Sequence, residues 1–210
     1  AASDVYKRQV MESPCVLLML AYALIVKDKL EIMHIAFLFL WLLHYIHRTF
    51  IYPFKIKMTN PVMPISIAVS AFCFNLINVS IQAFGIFYFT QYDENWIFNP
   101  VFMIGTLIFF VGMYINIKSD YLINEMKKNK GPGYHIPNKF LYKYISAPNY
   151  FGEIIEWIGW AILTFSISGV VFLLWVIANL FPRAIGHHQW YKNKFEDYPK
   201  ERKAIIPGII

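Results

Sequence analysis

Between residues 13 and 182 the sequence is dominated by long apolar stretches, and a helix that crosses a bilayer needs a run of about 20 such residues. The stretches cover 13–26, which is short, then 32–54, 64–90, 99–118 and 150–182. The last holds about 33 residues, too many for one span, and Ser166-Ile167-Ser168-Gly169 is its natural break. With 58% hydrophobic residues, 15% charged and a mean hydropathy of +0.45, the chain is too apolar for an ordinary soluble domain. Lipid offers no partner to an open backbone, so an all-α polytopic membrane protein with six spans is expected. Residues 1–9 read as a polar tail outside the fold, and residues 10–210 as a single membrane-embedded domain. The Glu12-Ser13-Pro14 insert and the lack of a small-residue cleavage site argue against a signal peptide.

The flanking charges set an orientation. With a cytoplasmic N-terminus, the inner segments carry Lys7 and Arg8, Lys55 and Lys57, six lysines between 118 and 143, and six basic residues between 183 and 203. These are sixteen of the nineteen lysines and arginines. Lys27 and Lys29 lie outside and Arg48 falls within the second span. The asymmetry follows the positive-inside rule and places both termini in the cytoplasm, at a bacterial inner membrane or the endoplasmic reticulum.

On that map the polar residues within or beside the spans fall at one depth. Glu12 opens the first span, Tyr45 lies in the inner half of the second, Asn116 and Asp120 close the fourth, and Asn149 and Glu153 open the fifth. Ionisable groups inside a membrane are costly and mark function. Asn149, Glu153 and Glu156 share a helix face by their spacing, although Asn149 also suits a helix cap. Asn116 and Asp120 stand one turn apart. They suit ribose hydroxyls, or equally a helix-end pair contacting Lys118 or Lys127. Residues Lys127 to His135 read as a basic, glycine-containing loop, able to hold a phosphate or only anionic lipid. No glycine-rich turn follows a strand, which excludes a Rossmann domain. His44 with His47 and His187 with His188 form two pairs, but six histidines are too few for a membrane di-iron centre, so no metal is assigned. Cys15 and Cys73 both lie in apolar stretches and form no disulfide framework.

Several blocks keep family order and spacing: His44-Tyr45-Ile46-His47-Arg48-Thr49-Phe50, Asn116 to Tyr121, Asn149 to Trp157, Arg183 to Tyr191, and Phe195 to Lys203. Together they resemble the steroid 5α-reductase (3-oxo-5α-steroid 4-dehydrogenase) family across nearly the whole chain from about residue 10. The resemblance implies a seven-helix bundle, of which this chain matches all but the first helix. It also implies NADPH-dependent reduction of a carbon–carbon double bond conjugated to a ketone, in a steroid or other lipophilic enone. By matching position, Glu12 and Tyr45 bind the ketone oxygen. Asn149, Glu153, His187 and Tyr191 hold the nicotinamide end, and Asn116, Asp120, Lys127, Tyr134 and His135 the ribose and phosphates, with Arg183 also on the cofactor. Lys127 and His135 stand where animal members usually have arginine, which removes a bidentate phosphate fork. Gly186 replaces a histidine.

The mechanism implied is enolate stabilisation. Tyr45 and a neutral Glu12 donate to the ketone oxygen as hydride reaches the β-carbon, and water protonates the α-carbon. Within the same superfamily, an enoyl thioester or polyprenol reductase would share the cofactor half without the ketone pair. An isoprenylcysteine-type methyltransferase would use S-adenosylmethionine in a similar C-terminal architecture, and a non-catalytic lipid-binding protein would find the buried acids dispensable. Membrane lipid is the expected surrounding, and no nucleic-acid partner is expected.

Overall fold

The computed structural model describes residues 2–55, 63–131 and 133–210, so Ala1 of the tail, Lys57 of the inner charge set and Pro132 of the basic loop lie outside the described residues. The described residues are helical throughout their long elements: α1 (Ala2–Ile25), α2 (Ile32–Ile46), α3 (Tyr52–Lys55), α4 (Ile65–Phe84), α5 (Pro100–Lys130), α6 (Pro148–Thr164) and α7 (Ile167–Lys194). A π-helical segment, His47–Ile51, joins α2 to α3, and a second, Gly85–Phe89, extends α4. Five of these helical stretches are long and apolar enough to cross a membrane, while α6 has 17 residues. The protein is an all-α integral membrane protein.

Two boundaries differ from the sequence expectation. The tail is not separate, because α1 begins at Ala2 and carries it. Asp4 is 2% exposed and accepts the Met63 N–H at 3.0 Å, and Lys7 donates to the Met63 carbonyl at 2.7 Å. Pro14 sits inside α1 without ending it. It has no N–H for the Val10 carbonyl, and the Ser13 hydroxyl donates there instead, at 2.9 Å. Likewise α5 runs on to Lys130, so Asn116 and Asp120 lie within a helix rather than at its end. Lys127, Lys128 and Lys130 form its last turn, where cations suit the helix dipole. Only from Gly131, with φ of 81°, does the chain turn away.

The chain divides into two compact units, Ala1–Phe102 with Thr164–Gly169 and Met103–Leu163 with Val170–Ile210. In the first, α1, α2 and α4 pack around Cys15, Met19, Phe37, Trp41, Val79 and Ile86, all nearly or wholly buried. The Trp41 indole donates to the Cys15 carbonyl at 2.8 Å. The α6–α7 break also belongs to this unit. Phe165 takes φ of 43°, and the Ser166 hydroxyl accepts the Gly169 N–H at 3.0 Å, capping α7. In the second unit α5 and α6 cross so closely that side chains at Gly105, Gly112, Gly152 or Gly159 would strike the facing backbone. Phe109, Trp157, Trp160 and Phe172 fill the space alongside.

Candidate functional site

In the first unit the polar residues gather where α1 meets α2 and α4. Cys15 lies one turn on from Glu12 in α1, and its carbonyl accepts from the Trp41 indole of α2 at 2.8 Å. Tyr45 is 4% exposed and its ring lies 4.6 Å from that of Trp41. α1 and α2 therefore pack together beside Tyr45. Asn75 of α4 joins them, donating to the Met11 carbonyl at 2.7 Å and to Glu12 Oε2 at 3.2 Å. Beyond Tyr45, Thr49 is fully buried and the Arg48 guanidinium stacks over the Tyr52 ring at 4.9 Å.

In the second unit four of the expected cofactor residues form one hydrogen-bonded chain. Asn116 donates to the Asn149 carbonyl at 3.1 Å and to Glu153 Oε2 at 3.2 Å, and Asn149 donates to Asp120 Oδ1 at 3.1 Å. Asn149 lies in the first turn of α6, behind Pro148, and its amide is used as a donor to Asp120 rather than as a cap. Glycine makes the chain possible. A Cβ on Gly152 would press on the Asn116 backbone, so only the bare backbone lets α5 and α6 meet at this point. Glu156, the third acid of the face, is fully buried in the α5–α6 seam beside Gly112.

The other expected residues lie on α7, in the last turn of α5 and on the segment after it. Tyr134 packs on Trp190 with centroids 4.6 Å apart, and Tyr191 stacks on Phe195 and Tyr198 at 5.9 and 5.4 Å. His187 meets the Tyr150 ring at 5.6 Å, next to Asn149. His135 approaches the Gly131 carbonyl at 3.4 Å, Lys127 lies in the last turn of α5, and Arg183 is exposed on α7. The four-residue chain itself comprises Asn116, Asp120, Asn149 and Glu153.

Two groups escaped the sequence reading. Asn75, Asn78 and Gln82 are buried amides on one face of α4, a spacing visible in an otherwise apolar stretch. Ser146 is the second. Its hydroxyl meets His188 Nδ1 at 2.7 Å and the Tyr198 hydroxyl at 2.6 Å, and donates to the Lys203 carbonyl at 3.2 Å. Arg202 stacks over Tyr198 and donates to the Pro137 carbonyl at 3.0 Å. The C-terminal residues thus brace the segment that leads into α6, a tertiary role that no local pattern announces.

Comparison with known proteins identifies the family. Residues 61–210 match the family model described as 3-oxo-5-alpha-steroid 4-dehydrogenase. The chain is 42% identical over 171 residues to 3-oxo-5-alpha-steroid 4-dehydrogenase 1 of Rattus norvegicus, covering 81% of this chain and 66% of the rat protein. It is 45% identical over 172 residues to the steroid 5-alpha-reductase DET2 of Solanum lycopersicum, covering 80% and 66%. With the Arabidopsis thaliana DET2 it shares 44% over 208 residues, covering 95% of this chain and 79% of that protein. The chain thus spans about two thirds of the length of the rat and tomato relatives. On the match over residues 61–210 and these identities, the chain belongs to the 3-oxo-5-alpha-steroid 4-dehydrogenase family.

Proposed function

We propose that this protein reduces the carbon–carbon double bond of a 3-oxo-Δ4 steroid to the 5α-dihydro product, with NADPH as the reductant. When bound, NADPH supplies the hydride that goes to the β-carbon. Tyr45 and Glu12 hold the ketone oxygen. As electron density moves onto that oxygen, a phenol and a neutral carboxyl donating to it stabilise the enolate, and one such donor is worth on the order of 10²–10³ in rate. The enolate is then protonated at the α-carbon by water. The observation that supports this reading is that α1, which carries Glu12, packs on α2 through the Trp41 indole and the Cys15 carbonyl, 2.8 Å apart, with the buried Tyr45 ring against Trp41.

The donor set of the second unit fits the reductant. Asp120 and Glu153 offer carboxylate oxygens, and Asn116 and Asn149 offer amides that both donate and accept, which suits ribose hydroxyls and a carboxamide. His187 supplies a ring against Tyr150, next to Asn149, Tyr134 and Tyr191 supply flat rings within the same unit, and Lys127, His135 and Arg183 supply positive charge for phosphates. Both termini are read as cytoplasmic from the charge asymmetry.

The test incubates the purified full chain with NADPH and, separately, testosterone, progesterone, an enoyl-CoA and a polyprenal, with products identified by mass spectrometry. The expected product is the 5α-dihydrosteroid. Reduction of the enoyl-CoA or polyprenal alone would overturn the steroid reading, and binding of S-adenosylmethionine in place of NADPH would overturn the reductase reading itself.

A further inference from the structure

We infer that Asn75 is a positioning residue of the ketone pair, holding the carboxyl of Glu12 in one orientation; this rests on the reading of Glu12 given above. Asn75 is 7% exposed, and burying an amide is unfavourable unless its hydrogen bonds are made. The amide nitrogen lies 2.7 Å from the Met11 carbonyl. A carbonyl only accepts, so the group facing it has to be the NH₂, and the orientation of the amide is determined by that contact. The same nitrogen lies 3.2 Å from Glu12 Oε2, which receives its other hydrogen.

That donation has a consequence for the acid. A neutral carboxyl carries one O–H and one accepting oxygen. With Oε2 held by Asn75, rotation of the carboxyl is restricted and Glu12 is held in one orientation. The terminal torsion of a glutamate is otherwise broad and roughly two-fold, so the bare side chain would present either oxygen. Pro14, inside α1, lacks the N–H that would reach the Val10 carbonyl, one residue before this anchor. Ser13 satisfies the Val10 carbonyl, and Asn75 reaches the next one, that of Met11. Asn75 therefore grips the backbone beside Glu12 with one hydrogen and aims the carboxyl with the other.

A purely structural amide that ties α4 to α1 through Met11 is the alternative, and a double-mutant cycle separates the two. Asn75→Leu keeps the shape and removes both donors. It is expected to lower kcat for testosterone roughly tenfold, the scale of one lost hydrogen bond, with NADPH affinity unchanged. In a Glu12→Ala background the same substitution is expected to cost nothing further, because its only route to the reaction is gone. Multiplying losses in the double variant, or wild-type kcat in folded Asn75→Leu while Glu12→Ala is impaired, would overturn the inference and leave the Glu12 reading standing. Unimpaired Glu12→Ala would overturn both. If Asn75→Leu does not fold, Asn75→Asp keeps size and polarity while replacing the donor by an acceptor, and it is held to the same outcomes.

Discussion

The Asn116 amide nitrogen lies 3.2 Å from Glu153 Oε2 and also donates to the Asn149 carbonyl, so one side chain of α5 fixes both a carboxylate and the first turn of α6. Glu153 is thereby held in one orientation before any ligand arrives. Preorganisation of this kind lowers the cost of ordering side chains on binding.

The first prediction follows from that bond. Hydrogen bonds to charged groups contribute about 1.5–3 kcal/mol, which is roughly 10- to 100-fold in affinity. Glu153→Ala should weaken NADPH binding by that factor and leave steroid binding nearly unchanged. Titration of NADPH fluorescence with the purified variant measures it, and an unaltered dissociation constant would remove Glu153 from the cofactor group.

A second prediction concerns the seam that makes the chain of four possible. A methyl on Gly152 would press on Asn116 and Gly112, whereas nothing stands within 4 Å of a Cβ on Gly186. Gly152→Ala should destabilise the protein by about 1–3 kcal/mol, the usual cost of overpacking. Gly186→Ala, within α7, should be neutral or stabilising by up to about 1 kcal/mol. Thermal unfolding in detergent compares them. Equal melting temperatures for the two variants would contradict the close crossing of α5 and α6.

How much of this was legible in the sequence depends on the kind of signal. Apolar length marked the helices, and the serines and glycine at 166–169 marked the break, because Ser166 caps α7 through its own hydroxyl. Polar spacing on α6 marked Asn149 and Glu153. Helix ends were harder to read. Hydropathy falls at Asp120 and Lys127, but helix propensity does not, so α5 continues past its apolar part to Lys130. At the other end, the residues before Glu12 look like a tail until Met63 supplies partners for Asp4 and Lys7. Ser146 was invisible because its partners His188 and Tyr198 are 42 and 52 residues away. Asn75 was visible as an oddity in an apolar stretch, but not as the neighbour of Glu12.

Tyr92 gives a pH-dependent prediction. Its hydroxyl donates to the Thr164 carbonyl at 2.8 Å, and burial pushes the phenol well above its ordinary value of 10.0. The fold therefore favours the neutral form. The resulting stabilisation is complete below about pH 10 and is lost as the pH climbs above it. Tyr92→Phe should be less stable at neutral pH, and its melting temperature should fall less steeply above pH 10 than that of the wild type. Parallel curves would show that Tyr92 contributes no such linkage.

Orientation is tested directly with a reporter fused after Ile210. The charge asymmetry predicts that it is accessible from the cytoplasmic side alone. Accessibility only from the opposite side would reverse the assignment.

The sharpest prediction addresses the chemistry of Glu12 and Tyr45. If both donate to the enolate oxygen, each acts chiefly in the transition state, so their loss should lower kcat and kcat/KM together. Glu12→Gln retains a donor and should keep part of the activity. Glu12→Ala and Tyr45→Phe should each lose on the order of 10²–10³ in turnover of testosterone. All three should still bind NADPH, since the residues proposed for the cofactor belong to other helices. Tyr45→Phe is the cleanest of the set, because it removes one oxygen and keeps the ring against Trp41. A helix-start role for Glu12 predicts the opposite pattern, with reduced thermal stability and normal turnover per folded molecule. Turnover measured per folded molecule therefore decides between them, and near-wild-type rates for both Glu12→Ala and Tyr45→Phe would falsify the ketone-binding assignment.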